Sequence, residues 1–138
     1  MKNRKLRILS ALLALAMLLA LVPTAAFAAG DSYTLSYSHN NDDTVTVTGY
    51  TGTINGALTI PATIDGKKVA EVGMQAFANC DTLKTLTIES GVEKISDAAF
   101  FDCSSLETVT LENGVETIGQ QAFNNCSKIT SIEIPASV

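Results

Sequence analysis

The chain has no tryptophan, one histidine, three prolines and, beyond Arg7, no arginine. Each shortage removes a class of function. A hydrolytic triad needs its histidine held between a serine and a carboxylate, yet His39 stands alone in the turn-rich stretch "HNNDD". The three cysteines, Cys80, Cys103 and Cys126, include no C-x-x-C pair, so the usual zinc frameworks have too few ligands. Asn41, Asp42 and Asp43 lack the spaced oxygen donors and distal glutamate of a calcium loop and read as turn chemistry. Gly49 and Gly52 fall in a β-rich stretch rather than ahead of a helix, so no phosphate-cradling loop is present. Asn125-Cys126-Ser127 fits a glycosylation acceptor only formally. These residues support no catalytic, cofactor or metal site, and a non-enzyme is expected.

Long apolar runs are also scarce: there is one, from Ile8 to Val22, preceded by MKNRKLR and followed by "PTAAFAAG". A basic start, a short apolar stretch and Ala26-Phe27-Ala28 describe a secretory signal peptide over residues 1–28, cleaved after Ala28. An uncleaved anchor would need about 20 apolar residues, and Pro23 interrupts the run. Without the leader, five lysines face 14 acidic residues, a formal net charge of −9. A surface so acidic, with no arginine, fits neither nucleic acid nor an anionic lipid surface. The expected setting is secreted or cell-surface, with no membrane insertion after cleavage.

What the sequence has is a beat. "AFANC", "AFFDC" and "AFNNC" place Phe77, Phe100 and Phe123 at intervals of 23 residues, and the three cysteines keep the same interval. A fixed period in this range is the signature of a repeat array. Leu83, Leu86 and Ile88 follow L-x-x-L-x-L, as do Leu106, Val109 and Leu111, then Ile129, Ile132 and Ile134. The last two apolar positions of each set alternate with polar residues, which predicts a half-buried strand. Ser90-Gly91 and Asn113-Gly114 are turn signals. "VEKISDAAF" and "VETIGQQAF" then predict a short helical segment, with Val92, Ile95, Ala99 and Phe100 inward and Ser96 and Gly119 as caps.

The expected architecture is a β-rich leucine-rich-repeat solenoid over residues 53–138, with three coils and the start of a fourth. The first coil carries five extra residues around "DGKK", read as a surface loop. Residues 29–52 hold two alternating runs about a polar turn, with Tyr33, Leu35 and Tyr37 on one face and Val45 and Val47 on another. They predict a β-hairpin serving as the terminal cap that a solenoid requires. On this reading the phenylalanines form a spine and the cysteines are inert core thiols, since one thiol per coil pointing the same way packs as a small hydrophobe; the alternative is a disulfide between neighbouring coils, as an exported chain would permit.

The strings "IPATI…VAEVGMQAFANCDTL", "IESGVEKISDAAFFDCSSL" and "LENGVETIGQQAFNNCSKI" resemble the bacterial BspA-like (Treponema pallidum-type) leucine-rich repeats of surface antigens. Glu89 and Glu112 stand where that pattern has the proline kept at Pro61 and Pro135. The resemblance implies exported proteins that bind other macromolecules, often in adhesion, with no catalytic residues.

The candidate binding face is the outward side of the strand ladder. Its columns are Lys84, Glu107 and Thr130; Thr85, Thr108 and Ser131; and Thr87, Thr110 and Glu133. A protein or glycan ligand is expected there. The alternative is a spacer or cap that presents another domain of a longer cell-surface protein. Ile132 and Ile134 end the array on an open edge, which also predicts self-association.

Overall fold

The computed structural model describes residues 32–138; the leader and its cleavage point after Ala28 lie outside the described residues. Two strands open the fold, β1 (Ser32–His39) and β2 (Val45–Thr53), paired as an antiparallel hairpin. Its turn is built by Asp42, whose Oδ1 accepts from the Thr44 backbone N–H at 3.2 Å and hydroxyl at 2.7 Å. These two bonds hold the exposed Asp42 carboxyl below its usual range. Val45 and Val47 are fully buried, as the alternation predicts.

The repeats supply β3 (Ala57–Ile60), β4 (Thr63–Ile64), β5 (Lys67–Val72), β6 (Thr85–Ile88), β7 (Lys94–Ile95), β8 (Thr108–Leu111) and β9 (Thr117–Ile118). Each coil contributes to two parallel ladders. β3, β6 and β8 form one, joining Leu58 to Leu86 to Val109 and Ile60 to Ile88 to Leu111. β2, β5, β7 and β9 form the other, so the hairpin is continuous with the solenoid. The extra residues of the first coil fold as a tight turn at Asp65-Gly66 between β4 and β5. Its side chains grip neighbouring elements: Lys67 pairs with Asp43, Lys68 with Glu93, and the Tyr37 hydroxyl donates to Asp65.

The helical segments expected after β7 and β9 do not form, and no helix occurs among the described residues. The backbone explains why. Gln75, Asn79, Ala98, Asp102, Gln121 and Asn125 all have φ between 54° and 62°. A left-handed residue on either side of each Ala-Phe pair cannot belong to a right-handed helix. The amide groups are satisfied between coils instead. The N–H groups of Gln75, Phe77 and Asn79 donate to the carbonyls of Asp97, Ala99 and Phe101. Those of Ala98, Phe100 and Asp102 donate to Gln120, Ala122 and Asn124. Intervening amides make local turns, such as Ala99 N–H to Ser96 O at 3.2 Å. The corner is thus a third parallel ladder. Ser96 and Gly119 cap nothing; their N–H groups bond Val72 and Ile95 of the preceding coil.

Inside, the phenylalanine spine forms as expected. Phe77 and Phe100 lie 5.3 Å apart and Phe100 and Phe123 5.4 Å, with ring planes within 6° of parallel. Tyr50 extends the stack beyond Phe77 at 5.6 Å. Its hydroxyl reaches the Cys80 sulfur at 3.5 Å; that bond, with burial, pushes the phenol up to about 12. All three cysteines are free and buried. Cys103 and Cys126 donate to the carbonyls of Phe77 and Phe100, each at 3.2 Å.

The segment after Ile129 carries no strand. Residues 130–134 have the right alternation, but no backbone hydrogen bond ties them to β8. In the coils above, Glu107 and Thr108 N–H both reach Lys84 O, and Glu112 N–H reaches Ile88 O. Pro135 occupies the position of Glu112 and has no N–H to give. Among the described residues β8 is therefore the last strand of this ladder, and the segment after Ile129 does not extend it.

Candidate binding face

The outward side of β3, β6 and β8 brings the predicted columns into register. Ala57, Thr85 and Thr108 are neighbours along one row, and Thr59, Thr87 and Thr110 along the next. Lys84 and Glu107 lie one residue ahead of β6 and β8, and Lys84, Thr85, Glu107, Thr108 and Thr110 are exposed, with Thr87 half-buried. Threonine suits this place because its branched side chain favours a pleated strand, while its hydroxyl both donates and accepts.

The third column member of each set departs from the ladder. Thr130, Ser131 and Glu133 are exposed but unpaired with β8. Between them and β8 lies a cleft of about 330 Å³, lined by Glu107, Thr108, Val109, Thr110, Leu111, Thr130, Ser131 and Glu133. Six of the nine predicted residues therefore surround one recess, while Lys84, Thr85 and Thr87 form a flat extension on the neighbouring coil. Lys128 sits 3.7 Å from Glu107, both half-exposed; Glu133 pairs with no cation among the described residues.

The remaining candidates fall elsewhere. His39 ends β1 and meets the Tyr37 ring edge-on at 5.6 Å. Among the described residues no three His, Cys, Asp or Glu side chains converge as metal ligands. Burial drives the Cys103 thiol up to about 12 and raises Cys126 as well, the opposite of a reactive thiolate. None of the described helices could cross a membrane, since there are none.

Parallel strand ladders, a ring and a thiol once per coil and a left-handed corner together specify one kind of solenoid. Residues 57–138 match the model of the BspA type leucine rich repeat region. The chain belongs to this BspA-type leucine-rich-repeat family. The Treponema pallidum leucine rich repeat protein is similar in structure, with TM-score 0.71 and 33% identity over 75% of this chain and 49% of that one. A leucine rich cell surface protein from Faecalibacterium prausnitzii gives 0.62 and 33%, covering 75% of this chain and 30% of that one. A leucine-rich repeat protein from Bacteroides capillosus gives 0.68 and 30%, over 78% of this chain and 86% of that one. This chain thus spans about half and about a third of the first two. No curated protein matches the sequence.

Two features escaped sequence reasoning. Tyr50 stands 27 residues before Phe77, which is neither the interval of 23 nor that interval lengthened by the five-residue insertion, so spacing gave no sign of it. The left-handed corner did leave a signal: Asn79, Asp102 and Asn125 precede the cysteines, and Asn and Asp are the side chains that best tolerate that conformation.

Proposed function

We propose that this chain is an exported, non-enzymatic binding module that engages a protein or glycan through its repeat surface, in the manner of an adhesin. The observation that carries this reading is the ordered outward face of β3, β6 and β8, where Lys84, Thr85, Thr87, Glu107, Thr108 and Thr110 repeat in register. Solenoids present extended surfaces of this kind to partners. Family membership supports a binding or structural role, and one relative is a cell surface protein. The leader at residues 1–28 would direct export, and residues 29–52 would cap the first coil, with β2 lying along β5 and Tyr50 along Phe77.

Two measurements test this reading. N-terminal sequencing of the exported product should begin at Ala29; retention of the leader would overturn the export assignment. Protein and glycan arrays should capture the chain, and a Thr85→Lys/Thr87→Lys/Thr108→Lys/Thr110→Lys variant should lose that capture while its melting point holds. Lysines at Thr117 and Glu116, on the other ladder, should leave capture intact. If both sets behaved alike, the chain would be a spacer rather than a binder.

A further inference from the structure

The cleft beside β8 has a feature that the flat threonine face lacks. Thr108 N–H bonds Lys84 O at 3.1 Å and Glu112 N–H bonds Ile88 O at 3.0 Å. In a parallel ladder the residues that give N–H to one neighbour also turn their C=O to it, and the alternate residues face the other way. Val109 and Leu111 therefore aim both N–H and C=O out of the sheet, and both line the cleft. Residues 130–134 take none of these four groups. Backbone groups left without partners at a sheet edge are a template for a further strand.

We propose that this cleft receives an extended polypeptide segment that pairs its backbone with Val109 and Leu111, adding a strand parallel to β8. The inference rests on the binding reading above and narrows its ligand from a macromolecule to an extended peptide. The surroundings set the chemistry of the occupant. On the inner side, the added strand would meet the half-buried apolar side chains of the last coil, Leu111, Ile129 and Ile132. On the outer side it would lie beside the hydroxyls of Thr108, Thr110, Thr130 and Ser131 and the carboxylates of Glu107 and Glu133. Lys128 offsets Glu107 in part, and Glu133 has no cationic partner among the described residues. The matching peptide alternates β-branched apolar residues with lysine or arginine.

The probe is a short capped peptide alternating valine with lysine, read by fluorescence anisotropy and by amide exchange on the full chain. Binding should protect the Val109 and Leu111 amides. N-methylation of the peptide backbone should weaken binding by about tenfold or more, since the paired donors are lost, and a valine–glutamate peptide should also bind worse. A Thr108→Cys/Ser131→Cys pair, oxidised to tie residues 130–134 onto β8, should abolish binding, and reduction should restore it. Several results would overturn the proposal: amides protected without peptide at every concentration, because the chain's own 130–134 segment fills the cleft; protection that grows only with protein concentration, because a second copy does; or N-methylated peptide binding equally well. Capture on arrays that persists, and is still lost in the Thr85/Thr87/Thr108/Thr110 variant, while the peptide fails would sink this inference alone and leave the wider binding reading standing.

Discussion

Phe100 and Phe123 carry the same ring in the same register of the same motif, yet they live in different surroundings. Phe100 has a ring stacked on each face and no exposure; Phe123 is covered by Phe100 on one face and is only half-buried. The two ends of the stack differ in the same way. At the first coil, Tyr50 covers Phe77, β2 pairs with β5, and Phe77 is 1% exposed. At the last, β8 faces a cleft and Ile134 is 56% exposed. A repeat motif fixes where a side chain points, whereas the coils on either side decide what it contributes. The largest test of that difference is Phe100→Ala, which should cost about 3–5 kcal/mol by emptying a rung packed from both sides. Phe123→Ala should cost well under half as much, because water already reaches it. Denaturant melts of the two variants decide this, and equal losses would show that the last coil is as tightly covered as the middle one.

Gly119 sharpens the comparison at the corner. It holds the position that Ser96 holds one coil earlier, and Ser96 fits by donating its hydroxyl to Glu71. A Cβ on Gly119 would instead fall 2.4 Å from Asp97 Oδ1 and 2.5 Å from Asp97 N. Gly119→Ala should therefore destabilise by about 1–3 kcal/mol through overpacking, whereas Ser96→Ala should lose only the bond to Glu71. A Gly119→Ala chain as stable as the parent would mean that the last coil can shift to make room.

How far the sequence revealed this fold follows from the same particulars. The strands, the phenylalanine spine and the buried thiols were legible because each depends on residues recurring at 23. The helical reading of Val92, Ile95, Ala99 and Phe100 failed because spacings of three and four imitate a helix, while Gln75, Ala98 and Gln121 give no sign of a left-handed backbone. Among the candidate binding-face residues, the β6 and β8 members of each column were legible from register, while Thr130, Ser131 and Glu133 were not. The cleft was not, since the segment after Ile129 has the alternation of a strand and still stands away from β8.

The thiols offer a comparison read by pH. Cys103 is sealed, while Cys126 is 7% exposed at the less covered end. Burial holds the Cys103 thiol at about 12, above the ordinary thiol range, so the folded chain keeps its proton where the unfolded chain has lost it. That contribution is complete below the unfolded pKa of about 8.5 and drains away as pH climbs from there toward 12. Stability should fall across that window, and Cys103→Ala should flatten the fall more than Cys126→Ala. Alkylation of the native chain at pH 9 should modify Cys126 ahead of Cys103; equal rates would mean that both coils open together.

The smallest expected effect concerns Glu89 and Glu112, which stand where Pro61 and Pro135 stand in the outer coils. Each carboxylate reaches back one coil: Glu89 Oε2 accepts from Ala62 N–H at 2.8 Å, and Glu112 Oε2 from Ser90 N–H at 2.9 Å. Each backbone N–H also continues the ladder, to Ile60 O and Ile88 O. The difference lies in what is left behind when the side chain is removed. Ala62 is half-buried and would keep an amide that water reaches poorly, whereas Ser90 is exposed and can bond to solvent at once. Glu89→Ala should therefore cost about 0.5–1.5 kcal/mol and Glu112→Ala close to nothing. Glu89→Gln should recover most of the loss, because its amide oxygen still accepts. Chemical denaturation of the three variants reads the difference, and a Glu112→Ala loss as large as that of Glu89→Ala would mean that charge, rather than an unsatisfied amide, is what these glutamates contribute.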